Sequence, residues 1–135
     1  MEIINETRNI ALEALETLKE ALIVFNTSPS HPLHEIIRDA VIKRFEYSMD
    51  CFWKYLRNYI EKDQKIILEK ISAKSVFRAC LNNNLIDETE FNILIQMVDD
   101  RNLTSHSYNQ VLAEAISIRI NGYTDTMIAI VNRFR

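Results

Sequence analysis

This chain has little of what tight turns are made from: one glycine and two prolines in 135 residues. Strand-rich folds reverse direction often and lean on those residues to do it. Their scarcity excludes an all-β fold and argues against an α/β one. Cysteine is also scarce. Cys51 and Cys80 stand alone, with no Cys-x-x-Cys pair, so a disulfide framework is excluded and both read as buried free thiols in a reducing cytoplasm. Long apolar runs are missing: the longest, Ala21 to Phe25, falls far short of the roughly 20 residues a membrane helix needs. The opening Met1-Glu2-Ile3-Ile4-Asn5-Glu6 is acidic where a secretory signal is basic. The expectation is a cytoplasmic protein with no membrane association. An excess of positive charge is missing too. The net charge of −3 excludes a sequence-independent coat on nucleic acid, while leaving room for a local basic pocket that holds phosphate.

What is present is helical periodicity. Ile3, Ile10, Ala14, Leu18, Ala21, Leu22 and Phe25 recur at helical spacing, with acidic residues and lysine between them. They predict a long first helix. Asn26-Thr27-Ser28-Pro29-Ser30-His31-Pro32 breaks it, because two prolines and several backbone-bonding side chains cannot continue a helix. A second long helix is expected from about Leu33 to Ile60, with Val41, Phe45, Met49, Phe52, Leu56 and Tyr59 in one stripe, widened by Tyr47 and Trp53. Lys62 to Ile71 is ambiguous; Ile66-Ile67-Leu68 can cover the core from a short turn.

Ser72 precedes a short helix carrying Val76, Phe77, Ala79, Cys80 and Leu81. It ends at Asn82-Asn83-Asn84, where asparagine can take the left-handed conformation usual for glycine. Asp87, with Glu90 three residues on, is a capping-box start for a helix carrying Phe91, Leu94, Ile95 and Val98. Ser107 and Gln110 form a second such pattern. A last helix is therefore expected from near Tyr108, carrying Val111, Leu112, Ala115, Ile116 and Ile120, kinked at Gly122 and continuing through Met127, Ile128 and Val131. The sum is one all-α domain over residues 1–135, an up-and-down antiparallel bundle of four main helices plus a short one.

One stretch does not read as ordinary amphipathic helix: Arg101-Asn102-Leu103-Thr104-Ser105-His106-Ser107-Tyr108. On one continuous helix, Arg101 and His106 would point well over a right angle apart. If one helix ends near Arg101 and the next starts after His106, a tight reversal can bring guanidinium and imidazole together. The first turn of the new helix adds unpaired N–H groups and the positive end of its dipole. Arginine, histidine and a helix N-terminus suit a phosphate. The dipole also favours the neutral imidazole that a general base requires. The set fits attack by a ribose 2′-hydroxyl on its own phosphate, with His106 taking the proton and Arg101 stabilising charge on phosphorus. No acidic cluster lies nearby beyond Asp99-Asp100, so no metal or cofactor is expected. The spacing alone is weak, since Arg-x4-His arises by chance and hydroxyl residues between helices are often only caps.

With Arg101-x4-His106-x-Tyr108 in place, the chain resembles the HEPN superfamily and, within it, the nucleotidyltransferase substrate-binding proteins. Two further blocks agree: Arg44-Phe45-Glu46-Tyr47-Ser48-Met49-Asp50-Cys51-Phe52-Trp53-Lys54, and Ser72-Ala73-Lys74-Ser75-Val76-Phe77-Arg78-Ala79-Cys80 leading to Leu85-Ile86-Asp87. Ala73 and Asn84 depart from the family's usual proline and glycine, which touches loop geometry and not the motif. The resemblance implies a helical bundle that forms a homodimer or a higher oligomer, encoded beside a minimal nucleotidyltransferase that is its partner, with RNA or a nucleotide as ligand. Under one implied function the chain is a metal-independent ribonuclease toxin, silenced when the partner transfers AMP to Tyr108. Under the alternative it is the non-catalytic substrate-binding subunit of a two-chain nucleotidyltransferase. Under the first, Arg101 and His106 are catalytic, Tyr108 is the modification site, and Asn102, Thr104, Ser105 and Glu46 support them. Glu46 and Asp50 flank the second helix's apolar stripe one turn apart. Glu46 is read as orienting Arg101 or contacting the partner enzyme, Asp50 as part of a solvated face. Trp53, Phe45 and Phe52 can stack on a base but read first as core. His31 and His34 lack the company a metal site needs. Tyr59 and Tyr123 read as boundary aromatics.

Overall fold

A computed structural model describes residues 2–105 and 109–134. They form α1 (Glu2–Thr27), α2 (His34–Asn58), α3 (Ala73–Asn82), α4 (Glu88–Leu103) and α5 (Gln110–Arg133), with a π-helical turn over Tyr59–Asp63 ending α2. No strand occurs among the described residues. Side-chain pairs fix the directions. Thr7 meets Asn58, the Thr17 carbonyl meets Arg44, and Phe25 stacks on His34, so α1 and α2 are antiparallel. Arg8 reaches the Val131 carbonyl and Asn26 bonds Asn121, which sets α5 antiparallel to α1. Glu90 pairs with Arg133 while Asp100 pairs with Arg119, which sets α4 antiparallel to α5. The four long helices therefore run up, down, up and down, with α3 as the short fifth.

The helix ends follow local chemistry. Ser72 Oγ accepts from the Ser75 amide at 3.1 Å to start α3. Asp87 and Glu90 form the complete reciprocal capping box, at 2.8 and 3.0 Å, that starts α4. Asn84 sits at φ 58°, the left-handed position expected within the asparagine run.

Several expectations are corrected. α1 runs on to Thr27, whose hydroxyl donates back to the Ile23 carbonyl at 2.7 Å. Its buried stripe is Ile4, Ala11, Leu15, Leu18, Leu22 and Phe25, while Ile3 and Ile10 lie one position off it and are about half exposed. Of the apolar triplet after α2, Ile66 and Leu68 pack against the core, but Ile67 is 92% exposed. The last helix begins at Gln110, and Asn109 Oδ1 caps it by accepting from the Leu112 amide at 3.0 Å. The expected cap residue Ser107 lies outside the described residues. Val111 faces solvent, and α5 runs unbroken through Gly122, where an added Cβ would meet nothing. Tyr59 and Tyr123 are buried, not boundary residues, and Tyr47 is exposed.

The core is one continuous cluster to which every helix contributes, with Phe45, Phe52, Tyr55, Phe77, Leu15 and Leu18 among its fully enclosed side chains. Cys80 is fully buried and Cys51 half-buried. Burial pushes the Cys80 thiol up from 9.0 to about 12. The native state thus holds a proton that the unfolded chain releases above pH 9.0, and stability linked to it is lost as pH rises. Burial and its bond to Asp100 raise the Tyr123 phenol likewise, which adds to the loss at still higher pH. Urea unfolding at about pH 8 and about pH 10.5 should show stability falling, with a slope approaching about 1.4 kcal/mol per pH unit per titrating group. The slope should be shallower in Cys80→Ala.

Candidate functional site at the α4–α5 junction

The carboxylate of Asp100 anchors this region. It is 4% exposed and needs strong partners to remain there. Arg119 from α5 donates to both its oxygens at 2.8 Å, and the buried Tyr123 hydroxyl donates to Oδ2. The pair raises the Arg119 guanidinium above its ordinary range, chiefly through the hydrogen bond to Asp100. Three groups from two helices thereby clamp the last turns of α4 against α5.

Arg101 is the next residue, turned about 100° around the helix. With Asp100 facing α5, its side chain faces α2. There Arg101 Nη1 donates to Glu46 Oε2 at 3.3 Å and to Ser105 Oγ at 2.7 Å. Thr104 Oγ1 lies 2.6 Å from the same Glu46 oxygen and 2.7 Å from the Arg101 carbonyl, its one proton going to either or shared. Glu46 also lies 3.9 Å from the exposed Lys43. One α2 carboxylate therefore collects Arg101 and Thr104, while Ser105 braces the guanidinium from the chain's other side. Both Arg101 and Glu46 keep some solvent contact, with side chains 26% and 16% exposed.

Arg101, Asn102 and Ser105 open onto a recess of about 730 Å³ between α2, α4 and the start of α3, also lined by Asp50, Trp53, Lys70 and Lys74. The structure thus brings together Arg101, Asn102, Thr104, Ser105 and Glu46. His106 and Tyr108 fall outside the described residues, in the junction that leaves Thr104 and re-enters helix at Gln110. Asp50 lines the recess and so is not simply part of a solvated face. Trp53 also lines it, though half-buried against the core. The two imidazoles do separate work: His31 Nδ1, in the loop, accepts from the Leu33 amide at 3.0 Å, and His34 Nε2, at the start of α2, pairs with Glu114 at 2.9 Å.

Sequence reasoning missed Asp100, Arg119 and Tyr123. An aspartate on the inward side of α4's stripe was the available signal, but its partners lie 19 and 23 residues away on another helix. Lys70 was missed because the segment before α3 has no periodicity to place it, and Lys74 because the docking of α3, not its own pattern, turns it to the recess.

The described residues form an all-helical bundle carrying a braced arginine at a polar helix junction, beside an open recess. The family model described as "Nucleotidyltransferase substrate binding protein like" matches residues 9–135, and the chain belongs to that family. A Thermus thermophilus protein of known crystal structure is 38% identical, covering 93% of this chain and 98% of its own, with a TM-score of 0.81. Two structures at 16% identity share the fold. One is a mutant of the toxin–antitoxin MntA-HpeT, at TM-score 0.77, covering 98% of this chain and 97% of that one. The other is a tri-AMPylated Shewanella oneidensis HEPN toxin in complex with MNT antitoxin, at TM-score 0.73, covering 98% and 96%. No functionally curated protein matches the chain. No helix among the described residues is long and apolar enough to cross a membrane.

Tyr123→Phe should remove the phenol's bond to the buried carboxylate with almost no change of volume. It should lower stability in urea unfolding at neutral pH by about 1–3 kcal/mol, the cost of under-satisfying a buried acceptor. A loss within error would mean that the clamp does not hold the two helices.

Proposed function

We propose that this chain is the HEPN component of a two-gene toxin–antitoxin pair: a metal-independent endoribonuclease that a nucleotidyltransferase partner silences by transferring AMP to Tyr108. The observation that carries the reading is the Arg101 guanidinium, braced by Glu46 and Ser105 at the mouth of an open recess. Membership of the nucleotidyltransferase substrate-binding family supports the partner class. The shared fold with a tri-AMPylated HEPN toxin bound to its MNT antitoxin supports the kind of regulation.

In the proposed reaction His106 takes the proton from a ribose 2′-hydroxyl as its oxygen attacks the adjacent phosphorus. The bond from phosphorus to the 5′-oxygen breaks, leaving a 2′,3′-cyclic phosphate on one fragment. The departing 5′-oxygen takes a proton from water. Arg101 stabilises the charge on the equatorial oxygens as phosphorus becomes five-coordinate. Ion pairing to Glu46 reduces its charge but fixes its direction, and its fork has five donors, most of them left for the phosphate. In the silencing step the Tyr108 hydroxyl oxygen attacks the α-phosphorus of ATP, the bond to pyrophosphate breaks, and the phenolic proton passes to water. An adenylyl group there adds bulk and negative charge two residues from His106, which opposes binding of a phosphate. Two copies joined as a homodimer, soluble in the cytoplasm, complete the proposal.

Purified protein should cut RNA in the presence of a chelator and leave cyclic phosphate ends. His106→Ala should lower the rate by roughly 100-fold or more with circular dichroism unchanged. Incubation with the partner and ATP should add one or more adenylyl groups to Tyr108 by mass spectrometry and stop cleavage. Intact RNA together with nucleotide transfer to another acceptor would instead favour the substrate-binding-subunit reading.

A further inference from the structure

Helix α3 carries charge opposite to the chain as a whole. Its ten residues, Ala73–Asn82, include Lys74 and Arg78 one turn apart and no carboxylate. The recess at Arg101 is lined on this side by Lys70 and Lys74, and it adjoins a second recess of about 380 Å³. The two share Lys70, Lys74 and Ser75, and Arg78 lies on the far wall. Arg101, Lys70, Lys74 and Arg78 thus line the channel that these two adjoining recesses make, on a chain whose net charge is −3. Acidic groups here are Asp50 and Glu69 in the walls, Glu46, which pairs with Arg101, and Asp99, which pairs with Lys74 at 2.8 Å. That pair is half exposed on both sides, so a phosphate can displace its carboxylate at little cost.

The same channel holds an aromatic face. Trp53, the chain's one tryptophan, packs partly on the core and lines the recess beside Arg101. Single-stranded nucleic acids bind where a cationic groove tracks the backbone and an aromatic ring stacks a base. Asp50, on the same wall, can accept from a base's exocyclic amine.

We propose that this channel is a binding site for single-stranded nucleic acid, in which Trp53 stacks a base and Lys70 and Lys74 hold the phosphates next to the one at Arg101. The inference rests on the reading of Arg101 as a phosphate-binding group.

Trp53 is its own probe. A deoxyoligonucleotide of about eight nucleotides, within the site size of such grooves, lacks the 2′-hydroxyl and cannot be cut. Titrating it should quench tryptophan fluorescence saturably, and more weakly at higher salt. Lys70→Glu with Lys74→Glu should weaken binding roughly tenfold or more. Trp53→Phe, followed by anisotropy of a labelled oligonucleotide, should weaken it by a similar factor. Lys19→Glu, on α1 and outside the channel, should change nothing. No saturable quenching, or quenching indifferent to the two lysine reversals, overturns the site. RNA cleavage is scored separately. Cleavage with no binding at Trp53 removes this site and keeps the ribonuclease reading, whereas binding without cleavage keeps the site and removes that reading.

Discussion

A carboxylate buried at the end of a helix is the constraint from which the rest of this structure follows. Asp100 could not stay inside an apolar bundle without the two Arg119 bonds and the Tyr123 hydroxyl. Those partners sit on α5, so satisfying the charge fastens α4 to α5 one residue before Arg101. Helical geometry then turns Arg101 toward α2, where Glu46 and Ser105 complete its brace. A structural requirement and a chemical one are met by consecutive residues of one turn.

The helices were readable because their causes are local. The capping box at Asp87 and Glu90 needs only four consecutive residues, and both of its bonds are present. The left-handed asparagine after α3 follows from the same short-range chemistry. Periodicity showed that α1 has an apolar stripe, but it could not separate Ile3 from Ile4. The two differ by one position, and only the packing partner decides which turns inward. The cap at the start of α5 was misplaced for a related reason. Ser107 and Asn109 are both good caps, and nothing local chooses between them.

For the site, the polar stretch from Arg101 to Tyr108, with Arg101 five residues before His106, pointed to the junction, and Glu46 came from the family block. The distances to Arg101 and Thr104 now give that glutamate a physical task. What the pattern could not supply was everything brought from a distance: the α5 half of the Asp100 clamp, and the lysines that α3 and the irregular segment before it deliver to the recess. Both depend on how separate elements dock, which no window of sequence contains. Tyr123 illustrates the point, since its buried role exists only because Asp100 is opposite.

Glu46 and Arg101 are proposed to act as one unit, the carboxylate aiming a guanidinium that meets phosphate. A double-mutant cycle on the single-turnover rate of RNA cleavage, using Glu46→Gln and Arg101→Lys, tests it directly. If the glutamate works through the arginine, the second substitution should cost little once the first is made, so the effects combine far less than additively. Fully additive losses, or cleavage unaffected by Arg101→Lys, would contradict it.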